Sequence, residues 1–153
     1  NEVIYEVLSF LHKQGESFEY IVLLQPTSPL RTAENIDEAF ALMEMKNASA
    51  IISVCETEHP VSWMGYLSKD VMMDEFLDNL TTDLSNDDDR VSYQINGAIY
   101  LAKTSTLITE KTFFPTPGAY AHIMERSDSI DIDTELDLDY ASYLMTRRAR
   151  KFT

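Results

Sequence analysis

Two carboxylates stand two positions apart near the end of the chain, at Asp131 and Asp133. In extended backbone, residues i and i+2 point to the same side, so both carboxylates are predicted to reach one hard cation. Mg²⁺ suits such a pair, because it commonly binds through one or two carboxylates together with phosphate oxygens. The alternative is structural: Asp133 or Thr134 would cap the following helix. That alternative does not account for Asp131, which lies too early in the chain to cap.

A second candidate group follows the apolar run at 20–24, in the loop 25–31. Gln25 offers a donor and an acceptor, and Arg31 offers a guanidinium fork that suits phosphate or carboxylate. Ligands of parallel α/β sheets bind at the carboxyl ends of the strands, where this loop is predicted to lie. The alternative is a stiff connection, held by Pro26 and Pro29, with Arg31 on the surface.

The third group is the run Asn96-Gly97-Ala98-Ile99-Tyr100. A glycine inside a strand indicates a bulge or a close approach of another group to the backbone. A plain hairpin turn at Asn96-Gly97 is the rival interpretation. Asn96 and Tyr100 share a face only if the strand is regular. Phe113 and Phe114 precede a proline, and such a pair is more often core than ligand-facing.

The elements that must position these groups follow from hydrophobic periodicity. Helices are predicted at 2–13, after the cap Thr32, at 104–110 and from Thr134 onward. Strands are predicted at 20–24, buried on both faces, and at 49–54, 93–102 and 119–124. Strand, loop, helix and strand at the start form a βαβ unit, which predicts that its two strands pair in parallel. Residues 56–92 show no clear period, which predicts an excursion from the sheet, either a lobe, a partner-contact arm or a surface loop.

Composition limits the classes of partner. The chain has 153 residues, 44% of them hydrophobic, which favours one globular domain. Its net charge of −14 disfavours binding to nucleic acid or to anionic membranes. A small anion held through a cation stays compatible with this charge. The lone Cys55 is predicted to be a buried thiol. No apolar run is long enough to span a bilayer and no signal peptide is visible, so the cytoplasm is expected.

Together these phrases resemble a known family. The segments LLQPTSPLR, HP, INGAIYL, FF and SIDIDTELDLDYA occur in the order and spacing seen in the acylneuraminate cytidylyltransferases, also called CMP-sialic acid synthetases. The resemblance covers about residues 18–145. It implies a Rossmann-like α/β fold of the nucleotide-diphospho-sugar transferase type. That fold is a three-layer sandwich around a mostly parallel mixed sheet.

The resemblance also implies an activity, in which CMP passes from CTP to a sialic-type (nonulosonic) acid and pyrophosphate leaves. Asp131 and Asp133 are then the Mg²⁺ ligands and the catalytic pair, and 56–92 is a lobe of a homodimer. The resemblance assigns the acid-sugar pocket to Gln25, Asn96, Tyr100, Phe113 and Phe114, with Arg31 in the loop beside it.

Two departures from the family pattern bear on activity. The glycine-rich, Arg- and Lys-bearing phosphate motif of the family has no counterpart in the chain, so the domain is expected to be incomplete at its N-terminus and inactive alone. In addition, Asn86 stands where the family carries a basic residue. Either Arg90 replaces that residue, or the acid sugar differs, or activity is lost. The alternative function is a degenerate or truncated domain with a dimerisation or regulatory binding role.

Overall fold

Helices and strands alternate along the chain in the computed structural model, which describes residues 2–77 and 91–151. The helices are α1 (Glu2–Lys13), α2 (Ala33–Lys46), α3 (Thr104–Glu110) and α4 (Glu135–Lys151). The strands are β1 (Tyr20–Leu23), β2 (Ala50–Glu56), β3 (Tyr93–Lys103) and β4 (Ala119–Ile123). None of the helices in these ranges is long and apolar enough to cross a membrane.

The four strands form one mixed sheet in the order β1-β3-β2-β4. β1 is antiparallel to β3, and β2 is parallel to β4. β3 also opposes β2, since Lys103 N donates to Ser49 O at 3.0 Å while Ile99 N donates to Ser53 Oγ at 2.7 Å. Three strands therefore run one way and β3 runs against them. The predicted direct pairing of β1 with β2 is wrong, because β3 lies between them.

Helices cover both faces of this sheet, which confirms the predicted Rossmann-like α/β architecture. On one face, α2 packs its buried side chains against strand residues; the cluster includes Ala39, Met43, Ile51, Ile99, Leu101 and Met124. On the other face, α1 and α3 pack against the sheet, in a cluster that includes Ile52, Ala102, Leu107 and Phe113, with Ile4, Tyr5 and Leu8 at its margin.

β1 departs from its predicted burial. All four of its residues, Tyr20–Leu23, are only half-buried. The continuous apolar run predicted a strand buried on both faces. β1 instead lies at the edge of the sheet formed by the described residues, so one side of the strand has no neighbour there.

α2 begins as predicted at Thr32. Asn35 N donates to Thr32 Oγ1 at 3.2 Å, and Thr32 N donates to Asn35 Oδ1 at 2.8 Å, which is a reciprocal capping box. The cap fixes where the loop 25–31 ends and the helix starts.

α4 buries a different stripe from the most apolar one. Leu136, Tyr140 and Tyr143 recur at helical spacing, yet they are 76%, 50% and 55% exposed. The stripe turned inward is shifted by one residue, and consists of Asp137, Ala141, Leu144 and Arg148. Polar anchoring accounts for the shift: the guanidinium of Arg148 donates to the backbone oxygens of Leu30 and Ser127, each at 2.8 Å, and contacts Asp128.

The chain divides into two compact units, one of Asn1–Cys55 with Ile95–Thr153 and one of Glu56–Gln94. In the second unit, Thr57 N donates to Ser92 O at 2.9 Å, and the rings of His59 and Trp63 stack at 5.5 Å. The dimerisation role predicted for 56–92 stays a prediction. Asn86 and Arg90 lie outside the described residues. In the first unit, Cys55 is a buried free thiol, as predicted.

Candidate active site

Gly97 is the point where the predicted groups meet. Its φ is +73°, inside a strand that runs without a break from Tyr93 to Lys103, so the hairpin interpretation is wrong. A Cβ at this position would overlap Gln25 Oε1 and lie 3.3 Å from Asp131 Oδ2. The loop after β1 and the segment after β4 therefore both reach the same backbone position of β3. This is the close approach that a strand glycine predicts.

Arg31 holds the loop 25–31 against β3. Its Nη1 donates to Ala98 O at 2.6 Å and to Gln25 O at 3.3 Å. The side chain is half-buried rather than on the surface, and desolvation lowers the pKa of its guanidinium. Arg31 thus keeps the backbone of Gln25 beside Gly97. This structural role is additional to the contact with an anionic ligand that the guanidinium group of Arg31 predicts.

Asp131 has a carboxylate oxygen that suits a cation. The next residue, Ile132, donates its N–H to Thr27 O at 2.8 Å, which docks this segment on the loop 25–31. Asp131 is half-buried, and its Oδ1 is buried without a hydrogen-bond partner. A buried carboxylate oxygen without a partner is costly unless a cation or donor meets it. The residues present therefore fit the predicted Mg²⁺, with Asp131 as the ligand best supported by the structure.

Asp133 does not cap α4. Thr134 does so, because its hydroxyl accepts from Asp137 N at 3.3 Å while Asp137 Oδ2 accepts from Thr134 N at 2.8 Å. These hydrogen bonds lower the pKa of Asp137. The Asp133 side chain is exposed and not used by the cap. Across 2–77 and 91–151, no cluster of three or more His, Cys, Asp or Glu side chains is placed to hold a metal. A cation here would therefore depend on further ligands, such as phosphate or water.

Tyr100 and the two phenylalanines form one aromatic group. The rings of Phe113 and Phe114 each lie 6.0 Å from that of Tyr100. Phe113 is 4% exposed and belongs to the core, whereas Phe114 is half-exposed. Burial, and then the negative charge of Asp131, raise the pKa of the Tyr100 phenol. The phenol is accordingly protonated at neutral pH and close enough to sense the charge of Asp131.

Asn96 does not share a face with Tyr100. Its amide contacts Met124, which belongs to the core on the α2 side of the sheet, while Tyr100 packs toward the α1 side. The left-handed backbone of Gly97 interrupts the alternation of side chains between the two positions. The face shared in a regular strand is therefore lost here.

Two buried serines near the site were not predicted. Ser53 and Ser129 both hydrogen-bond to Asn96, at 2.5 Å and 2.8 Å. Ser53 carried a usable signal, since it is a polar residue within the buried apolar strand β2 and a buried hydroxyl needs a partner. Ser129 had no such signal, because it lies among polar residues of a loop.

No protein-family profile matches the chain. Curated proteins do. The CMP-N,N'-diacetyllegionaminic acid synthase of Legionella pneumophila is 29% identical over 150 residues, which are 95% of this chain and 63% of that protein. The N-acylneuraminate cytidylyltransferase of Escherichia coli O18:K1:H7 is 32% identical over 137 residues, which are 88% of this chain and 32% of that protein.

The pseudaminic acid cytidylyltransferase of Campylobacter jejuni is 24% identical over 142 residues, which are 93% of this chain and 60% of that protein. The chain thus spans from about a third to under two thirds of the length of these relatives. Their names differ in the acid sugar and agree in the class of enzyme. Over nearly its whole length, the chain is homologous to the cytidylyltransferases of nonulosonic acids.

Proposed function

We propose that this protein transfers CMP from CTP to a nonulosonic acid and releases pyrophosphate. Two findings support the proposal: the named activities of its homologues, and the convergence of Gln25 and Asp131 on Gly97. The second finding is the main support. Gln25 and Asp131 lie more than 100 residues apart in the chain, yet the fold brings both to one place, beyond the carboxyl ends of β1 and β4. That edge is where α/β sheets bind their ligands.

Asp131 and Asp133 are the proposed Mg²⁺ ligands, with the unpartnered Oδ1 of Asp131 as the main support. Bound Mg²⁺ would supply positive charge to offset the charge that develops on departing pyrophosphate. In a chain of net charge −14, two anionic substrates need such a counter-charge.

Gln25, Tyr100 and Phe114 are proposed to contact the acid sugar, and the buried ring of Phe113 supports Tyr100 from the core side. The Gln25 amide offers both a donor and an acceptor for hydroxyl groups. The raised pKa keeps the Tyr100 phenol protonated, so that it can donate a hydrogen bond to a carboxylate or hydroxyl. The half-exposed ring of Phe114 offers an apolar surface next to that phenol. In the proposed reaction, a hydroxyl of the sugar attacks the α-phosphorus of CTP. Binding holds these two groups in place relative to each other, and this positioning supplies much of the rate enhancement.

Pyrophosphate release tests the proposal. The polypeptide that the gene encodes would be incubated with Mg²⁺, CTP and each of three acids: N-acetylneuraminic, N,N'-diacetyllegionaminic and pseudaminic acid. We expect CMP-sugar and pyrophosphate in equal amounts with at least one acid, and no product with Asp131→Asn. Absence of product with all three acids would sink the proposal. ATP, GTP and UTP in parallel determine the base preference.

A homodimer in the cytoplasm is part of the same proposal, with 56–92 as the dimerisation lobe. The second unit displays apolar side chains that suit a protein interface; Trp63, Met64, Tyr66, Val71 and Met72 are each more than half-exposed. Light scattering over a range of concentrations would give twice the monomer mass. Replacing Trp63 and Tyr66 by serine should then shift the protein to monomer, and a wild-type monomer at high concentration would contradict the assignment.

A further inference from the structure

Asn96 is a buried amide whose hydrogen-bonding capacity is used inside the protein. The side chain is 4% exposed. Its Oδ1 accepts from Ala98 N at 3.2 Å and from Ser53 Oγ at 2.5 Å. Its Nδ2 donates to Ser129 Oγ at 2.8 Å and to Met124 Sδ at 3.5 Å. An asparagine amide has two donor hydrogens and two main acceptor sites, so these four contacts leave none for a ligand.

The orientation of this amide follows from its neighbours. A backbone N–H can only donate, so the atom that faces Ala98 N must be the oxygen. The NH₂ group then faces Ser129, whose hydroxyl accepts from it and donates to Glu125 O at 2.8 Å. Donors and acceptors are therefore matched throughout the group: Ser53 donates to Asn96, Asn96 donates to Ser129, and Ser129 donates to the backbone oxygen of Glu125.

The network joins three parts of the fold around Gly97. Ser53 lies on β2 and Asn96 on β3, directly before Gly97. Ser129 lies in the segment after β4, two residues before Asp131. A hydroxyl of β2 and an amide of β3 thus hold the segment that carries the candidate metal ligand. Partners outside the ligand sphere of a metal orient its ligands in this way.

We propose that Ser53, Asn96 and Ser129 are positioning residues that hold Asp131 next to Gly97. Asn96 acts through its hydrogen bonds to the two serines and does not contact the acid sugar. The consequence for catalysis rests on the proposed function. The positioning itself does not, and it can be measured with no substrate or metal present.

Amide hydrogen exchange measures the positioning directly. The N–H of Ile132 donates to Thr27 O at 2.8 Å and so reports the docking of the segment that contains Asp131. Thr104 N, which donates to Glu19 O at 2.9 Å, is a reference elsewhere in the same unit. Global unfolding exposes both amides alike, so a rise in the Ile132 rate relative to the Thr104 rate reports a local opening of the segment. In Ser129→Ala, Ser53→Ala and Asn96→Ala we expect Ile132 to exchange up to about tenfold faster relative to Thr104.

The double variant Asn96→Ala with Ser129→Ala should exchange no faster than Asn96→Ala alone, because residues of one network are not additive. Tyr5→Phe is the matched control. It removes a different side-chain hydrogen bond, from Tyr5 Oη to Leu107 O at 3.2 Å, and should leave the ratio unchanged. An unchanged ratio in Ser129→Ala and Ser53→Ala would overturn the inference, and these single-hydroxyl changes apply even if Asn96→Ala does not fold.

Measurements of metal binding and of steady-state kinetics distinguish a positioning role of Asn96 from direct contact between Asn96 and the sugar. Calorimetry with Mn²⁺ alone should show about tenfold weaker binding in Ser129→Ala. In steady-state assays, the three single variants should lower kcat while the KM for the acid stays within about twofold. If Asn96→Ala alone raises that KM, and the two serine variants behave as wild type, Asn96 contacts the sugar and the inference is wrong. If wild type makes no CMP-sugar, the proposed function fails, while the exchange ratio still decides the network.

Discussion

The side-chain oxygen of Gln25 occupies the space in which a Cβ of residue 97 would stand. Gly97 also has a φ of +73°, a conformation that residues with a Cβ rarely adopt. The left-handed backbone therefore favours glycine at this position, and a Cβ would in addition force the end of the Gln25 side chain to shift. The same contact sets how deeply the loop 25–31 approaches β3.

Gly97→Ala should be destabilising. The left-handed backbone costs about 1–2 kcal/mol for a residue with a Cβ, and the Gln25 amide, which is the end of a flexible side chain, must also move aside at a smaller cost. Urea unfolding measures the sum. Gly15→Ala is the matched control, since Gly15 has a φ of +81° but no atom within 4 Å of its Cβ position. Equal losses of stability in the two variants would contradict the close approach of Gln25.

Asp131→Asn should lower the pKa of Tyr100 toward its ordinary value. The negative charge of Asp131 is one of the two causes that raise this pKa, and burial is the larger one, so part of the elevation should persist. Absorbance at 295 nm, taken as the difference from Tyr100→Phe, isolates this phenol. Asp133→Asn is the control and should leave the pKa of Tyr100 unchanged. No effect of Asp131→Asn would mean that the carboxylate does not face the phenol.

Asp133 and Thr134 should separate metal binding from helix capping. Thr134→Ala removes the cap of α4 and should cost about 1 kcal/mol of stability. Asp133→Ala should change stability by no more than about 0.5 kcal/mol, because the exposed side chain makes no capping bond, but it should weaken the binding of Mn²⁺. Thermal unfolding and calorimetry measure the two effects. If Asp133→Ala lost as much stability as Thr134→Ala, Asp133 would have to be assigned a role in capping α4.

His122 should make stability fall in mild acid. It is 6% exposed, with Nε2 at 3.9 Å from Glu38 Oε2. Burial lowers its pKa below the ordinary 6.5, and Glu38 opposes this in part. As pH falls below 6.5, the unfolded chain takes up the proton first. The stability due to neutral His122 is therefore complete above pH 6.5, and is lost as pH falls through the folded pKa, by at most ~1.4 kcal/mol per pH unit.

Urea unfolding at pH 7.5, 6.5 and 5.5 measures this dependence. His122→Phe should remove the part of the slope that His122 causes, while His12→Gln, at an exposed position of α1, should keep the wild-type slope. A slope that His122→Phe leaves unchanged would assign the acid sensitivity to other groups.

Local signals in the sequence determined most elements of this fold. The spacing of Val3, Ile4, Val7 and Leu8 predicts α1, and Thr32 predicts the start of α2, because periodicity and capping depend on residues a few positions apart. The same holds for α3, whose predicted range 104–110 is the observed one. The three groups of candidate residues were likewise visible as motifs.

Tertiary structure decided what no local signal contains. Strand order depends on pairing between distant segments, so the placement of β3 between β1 and β2 does not follow from the run Asn96-Gly97, which locally favours a turn. The buried stripe of α4 depends on the bonds of Arg148 to Leu30 and Ser127, more than a hundred and about twenty residues away. Whether Asn96 faces a ligand or the interior also depends on Ser53 and Ser129, which only folding brings to it. The sequence alone thus determined which residues can do the chemistry. Long-range packing decided which of them meet, because contacts across the fold satisfy hydrogen bonds and fill space in ways that local spacing does not specify.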